Sequence, residues 1–207
     1  MSRRTGAPAA LPRPAGVAYA PGMRIGAGRF KHAELPPAGP GVRPVPARLR
    51  QSLFTVIEPW VAGAAVLDLC AGVGGLGLEA LSRGAARVVL VDVDPAPLGA
   101  LKRWVDHRGL ASEVAVVRAD ARRGGWPPGP YDLVFLDPPF DAWEGAPGIV
   151  PFLERAVAQL APEGLVVLKT PGDAVVPPDP RWVVRTVRRQ GEVAYVLVSQ
   201  EDPPPLR

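Results

Sequence analysis

Asp137-Pro138-Pro139-Phe140 sets a carboxylate, a free backbone carbonyl and an aromatic ring side by side. The tetrapeptide follows the apolar run 131–136 (YDLVFL), which reads as a buried strand. It therefore falls at a strand's carboxyl end, where open α/β sheets bind ligands. Proline has no N–H, so two in succession stop the ladder and leave their carbonyls without a strand partner. An exocyclic amino group on a nucleobase needs such a set: acceptors for its N–H groups and a flat surface for its ring. Taken alone, the tetrapeptide also fits a strand-ending turn with Phe140 in the core.

A second cluster lies upstream, where Asp68-Leu69-Cys70-Ala71-Gly72-Val73-Gly74-Gly75-Leu76-Gly77 leads into a helix. Gly72, Gly74 and Gly77 satisfy G-x-G-x-x-G, a pattern shared with dinucleotide sites. Asp68 argues for a different ligand. A pyrophosphate gains nothing from a carboxylate at that strand end, whereas a molecule bearing an ammonium and a sulfonium gains much. Asp92 ends the next strand and suits ribose hydroxyls in either reading. Asp120 follows the third strand, placed to accept a hydrogen bond from an adenine amino group or to make a turn. Asp94, before Pro95, reads as a helix N-cap. Asp68, Asp92, Asp120 and Asp137 thus close four consecutive strands and share one rim.

The elements that must position them alternate. Strands are expected at 65–70, 87–92, 114–118, 131–136, 164–169, 182–188 and 193–199, and helices at 75–83, 95–108 and 147–161. Such alternation predicts an α/β, doubly wound, mainly parallel, seven-stranded Rossmann-like sheet. Only Gly191-Glu192 and their neighbours separate the last two strands, so these should pair antiparallel. Proline in 170–181 predicts loop where a covering helix would otherwise lie. Upstream, 23–35 alternates weakly and suggests a short hairpin. From Pro46 a helix should place Leu49, Leu53, Val56, Ile57 and Trp60 on one face, with Arg48 and Arg50 elsewhere on its surface, free to reach a polyanion. The expected organisation is a disordered Pro/Ala-rich tail (1–22), a hairpin-and-helix extension (23–60) and the main domain (61–207). Met23 opens the first patterned segment and reads as a start codon.

Composition excludes several classes. In 207 residues no apolar run approaches the length of a membrane span, and the amino terminus lacks a compact apolar signal segment, so no membrane partner is expected and the cytoplasm is the expected setting. A lone cysteine, Cys70, and two distant histidines, His32 and His107, predict no metal site and no disulfide framework. Residues 1–50 carry nine Arg or Lys against one acid, while the remainder is net acidic. Cations concentrated in one terminal segment form an electrostatic footprint for nucleic acid, or else a solvated tail.

Together these residues resemble the class I S-adenosylmethionine-dependent methyltransferases of the amino-methylating kind, which carry (D/N/S)-P-P-(Y/F/W). More narrowly, residues 23–201 resemble the bacterial small-subunit ribosomal RNA guanine-N2 methyltransferases. The likeness is carried by Met23-Arg24-Ile25 with Gly28-Arg29, and by Arg43-Pro44 followed by Arg48-Leu49-Arg50 and Leu53-Phe54. It continues through Gly77-Leu78-Glu79-Ala80-Leu81-Ser82-Arg83-Gly84-Ala85, the Asp-Pro-Pro-Phe tetrapeptide and Gly191-Glu192-Val193-Ala194-Tyr195. Departures are Cys70 for an aromatic residue, Val73 for Ser or Thr, Val45 and Ala47 for polar residues, and Phe140 for Tyr.

The resemblance implies S-adenosylmethionine held by Asp68, Ala71, Gly72, Gly74, Gly77, Asp92, Asp120 and Ala121. It implies catalysis at Asp137, Pro138, Pro139 and Phe140, and RNA contacts from Arg24, Arg29, Lys31, Arg43, Arg48 and Arg50. The expected partner is ribosomal RNA or a small-subunit assembly particle, met by a monomer. Competing readings are amino methylation of another base (adenine N6 or cytosine N4), an NAD-dependent oxidoreductase, and a non-catalytic RNA-binding protein.

Overall fold

The apolar runs 66–69, 88–91, 133–136 and 165–168 are buried on both faces, as strands covered by helices must be. A computed structural model describes residues 22–37 and 47–200. Residues 1–21 of the expected disordered tail, Arg43 and Val45 lie outside the described residues. The strands are β1 (Ala65–Leu69), β2 (Arg87–Asp92), β3 (Val114–Arg118), β4 (Tyr131–Leu136), β5 (Leu160–Pro171), β6 (Trp182–Gln190) and β7 (Val193–Gln200). They form one sheet in the order β3-β2-β1-β4-β5-β7-β6. β1 to β5 run parallel to one another, and β7 is antiparallel to both β5 and β6. The chain therefore has the expected α/β fold.

The helices are α1 (Ala47–Val56), α2 (Gly77–Ser82), α3 (Pro95–His107) and α4 (Val150–Val157). None is long and apolar enough to cross a membrane among the described residues. One apolar cluster joins Val66, Leu90, Phe135 and Val167 to α1, α2 and α3; the opposite face packs Leu67, Val91, Leu136 and Leu168 against α4. Asp94 caps α3 by accepting from Ala96 N at 2.9 Å, the role its place before Pro95 predicts.

Two elements differ from expectation. The helix expected over 147–161 spans only Val150–Val157, and β5 begins at Leu160. Tyr131 N donates to Gln159 O at 2.8 Å and Tyr131 pairs with Leu160, after which the register shifts to Leu133–Leu165. Residues 161–164 form that irregularity, which absorbs the missing donor of Pro162. The hairpin over 23–35 is a single bridge, Arg24–Glu34, with Ile25 N donating to Ala33 O (3.0 Å) and Leu35 N to Met23 O (2.8 Å). Its glycines leave too little side chain to sustain longer strands.

This extension is clasped by α2. Glu79, 1% exposed, accepts from Gly26 N (2.7 Å) and Ala27 N (3.1 Å). Ser82 Oγ accepts from Phe30 N at 2.9 Å, and Ser82 O from Arg29 N at 2.8 Å. Gly28 lies so close to Ser82 that an added Cβ would sit 1.8 Å from its carbonyl oxygen. Two of the segments that carry the resemblance, 23–29 and 77–85, are therefore two halves of one joint.

Candidate active site

A cavity of about 1260 Å³ lies over the carboxyl ends of the central strands. A drug-sized ligand needs about 300–1,000 Å³, so more than one such group fits. Asp68, Ala71, Gly72, Asp92, Asp120, Ala121 and the whole of Asp137–Phe140 line it. Gly74 and Gly77 do not; they shape the loop from behind.

The loop after β1 bends through three left-handed positions, Cys70 (φ 62°), Gly72 (φ 53°) and Gly74 (φ 76°). Cys70 holds that conformation with a side chain, at a cost of about 1–2 kcal/mol. Burial, and then the carboxylates of Asp92, Asp137, Asp68 and Asp120, push its thiol upward, so it stays protonated and is no nucleophile. A Cβ at Gly72 would meet nothing within 4 Å, so its bare face opens outward. At Gly77 it would lie 2.6 Å from Leu90 and 2.9 Å from Val88, so this glycine serves close helix–sheet packing.

The rim acids are held differently. Asp68 is 2% exposed and accepts from Gly77 N at 2.8 Å. Burial, and then the charges of Asp137 and Asp92, push its carboxyl up to about 8, against the lowering by Gly77 N–H. At neutral pH it is largely protonated until a cation arrives. Asp92 accepts from Gly72 N (2.8 Å) through Oδ2 and from Asp94 N (3.0 Å) through Oδ1. Each oxygen keeps a second acceptor direction for a hydroxyl. Asp120 makes the turn that was its alternative reading: Oδ1 accepts from Arg122 N at 2.9 Å and Oδ2 from Arg122 Nη2 at 2.8 Å. The Arg122 bonds hold its carboxyl below the usual range.

At the other end, Asp137 is already paired. Lys169 Nζ donates to both its oxygens, at 2.8 and 2.9 Å. Burial pushes Asp137 up, while Lys169 opposes the rise. Sequence reasoning missed Lys169. Its signal was a lone cation ending the apolar run 165–168, beside Asp137 because Leu136 pairs with Leu168. Neither proline carbonyl has a strand partner: Pro139 O accepts from Ala142 N of the following turn at 3.0 Å, and Pro138 O has no partner among the described residues. Phe140 is 63% exposed, not in the core. Trp143 packs against the α4-side cluster.

The basic extension is only partly a surface. Arg24, Lys31 and Arg48 are exposed, and Arg29 pairs with Glu113. Arg50 contradicts its expected exposure. It is 3% exposed, its Nε lies 3.4 Å from Glu79 Oε2, and its Nη2 donates to Arg24 O. It lines the cavity instead, because a buried carboxylate on α2 draws it inward from the margin of the apolar helix face. No group of three or more His, Cys, Asp or Glu that could hold a metal occurs among the described residues.

The family model described as Conserved hypothetical protein 95 matches residues 23–199. Ribosomal RNA small subunit methyltransferase D of Escherichia coli is 34% identical over 188 residues, covering 86% of this chain and 90% of that protein. Its Haemophilus influenzae namesake is 31% identical over 180 residues, covering 84% and 92%. The solved structure of a candidate methyltransferase from Escherichia coli superposes with a TM-score of 0.74 at 31% identity, covering 88% of this chain and 99% of that one. On the family match and these long alignments, the chain belongs to the ribosomal RNA small subunit methyltransferase D family.

Proposed function

We propose that this chain methylates the exocyclic N2 amine of a guanine in small-subunit ribosomal RNA, with S-adenosylmethionine as donor. The observation that carries the reading is Asp137–Phe140 opening on the same cavity as the glycine loop. The donor's residues fit: Gly72 leaves open space for close backbone approach, Asp92 keeps acceptor directions for ribose, and Asp68 is ready to ionise against a cation. When bound, the donor supplies an electrophilic methyl group on a sulfonium.

The amine is a poor nucleophile, because its lone pair is delocalised into the base. Asp137 and the Pro138 carbonyl accept its N–H groups and free that lone pair from the ring plane. Asp137 does so while still held by Lys169, since a carboxylate has about four acceptor directions. The same acceptors stabilise positive charge growing on nitrogen. As the N–C bond forms and the S–C bond breaks, the nitrogen becomes acidic and loses its proton to water. The exposed ring of Phe140 stacks on the base, worth about 1–3 kcal/mol. The guanine must leave its stack to reach it.

The test is transfer of radiolabelled methyl to small-subunit ribosomal RNA or particles from a strain lacking the gene, followed by nuclease digestion and chromatography. N2-methylguanosine is expected. Label in N6-methyladenosine or N4-methylcytidine would replace the guanine assignment, and no label in RNA would overturn the function.

A further inference from the structure

We infer that Arg50 holds the α-carboxylate of the donor's methionine portion, an assignment that rests on the proposed use of S-adenosylmethionine. Three cations line the cavity among the described residues: Arg50, Arg122 and Lys169. Arg122 is spent on Asp120, and Lys169 on both oxygens of Asp137. Arg50 is different. Its Nη1 is buried and has no hydrogen-bond partner, although its residue is almost wholly withdrawn from water. A guanidinium left so costs free energy unless an anion completes it.

The charge around it makes the same demand. Glu79 is the acid paired with Arg50, and it also accepts from Arg83 Nε at 2.7 Å. Two guanidinium groups therefore share one carboxylate, which leaves an excess positive charge beside an otherwise acidic cavity. The place is also right. Glu79 lies in the first turn of α2, and Gly77, at the start of that turn, donates to Asp68. Arg50 and Asp68 thus flank one helical turn with opposite tendencies, a fixed cation and a carboxyl that ionises against a cation. An α-amino acid carries the matching pair, a carboxylate and an ammonium, on one carbon. Within the donor and a guanine, the carboxylate is the one anionic group. Met23, whose sulfur lies against Gly75, is a flexible neighbour on the same wall and can yield to it.

The experiment is calorimetric titration of the full chain with S-adenosylhomocysteine and with its decarboxylated analogue, which lacks only the carboxylate. Wild type should prefer the carboxylated ligand by about 10- to 100-fold, as one charge-assisted hydrogen bond predicts. Arg50→Met should erase that preference by weakening only the carboxylated ligand. Arg50→Lys, which keeps the charge beside Glu79, should retain part of it. Equal weakening of both ligands, or an unchanged preference in Arg50→Lys should Arg50→Met fail to fold, overturns the assignment. If wild type binds neither ligand, the proposed function itself fails, which separates the two outcomes.

Discussion

Asp68 and Asp120 look alike in sequence, each closing a strand of the same parallel sheet, yet the protein treats them oppositely. Asp68 is sealed beneath the glycine loop with one amide donor, and its proton is held up to about 8. Asp120 sits in an open turn, its side chain 21% exposed, clamped by Arg122 and held below the usual range. One acid is uncharged until a cation comes; the other is charged and already neutralised. The cavity is therefore polarised by environment, not by residue type, and the responsive end is the buried one.

Asp137 tests that contrast most severely, because it is part-buried and paired at once. Asp137→Ala should lower methyl transfer by at least about 10²–10³-fold, with S-adenosylhomocysteine affinity nearly unchanged; an active variant would remove Asp137 from the chemistry. Lys169→Met should be next in size. Lys169 opposes the upward push of burial on Asp137, so its loss raises that carboxyl further and moves the acid limb of the rate profile to higher pH. A limb that stays put would show that Lys169 does not set the charge of Asp137.

Asp68→Asn and Asp120→Asn compare the two acids directly. A ligand ammonium favours ionised Asp68, so binding near pH 7 should release about one proton, visible as the dependence of calorimetric enthalpy on buffer ionisation. Asp68→Asn should abolish that release, and Asp120→Asn should leave it. The folded state also holds this proton far above the ordinary carboxyl value, so wild type should lose stability as pH rises from about 4 towards 8. Thermal melts of Asp68→Asn should lack that component. The smallest effect belongs to the surface. Arg24→Ala or Arg48→Ala should reduce the salt slope of RNA binding by about 0.7 for a single-stranded contact.

The strands and the rim acids were legible because buried parallel strands are written as apolar runs, four of which carry an aspartate within or just beyond their carboxyl end. Asp137–Phe140 was legible because two prolines cannot continue a strand. What stayed hidden depends on register and distance. Lys169 meets Asp137 only because β5 pairs with β4 after an irregularity at 161–164, and that irregularity also disguised the end of α4. Arg50 lies beside the predicted apolar face of α1, and nothing local says that Glu79, far along the chain, will draw it in. The role of Glu79 was visible only as part of a resemblance, without its physical cause.

The clasp between α2 and the amino-terminal segment has a consequence for any shortened form. A chain beginning at Ala47 would keep all seven strands, yet Glu79 would be stripped of both amide donors and Arg50 of its carbonyl acceptor. Ile25 and Leu35 would vanish from the packed interior as well. The segment that bears the surface cations is therefore also a girder of the enzyme, and trimming it should unseat the small-molecule pocket along with the grip on polyanion.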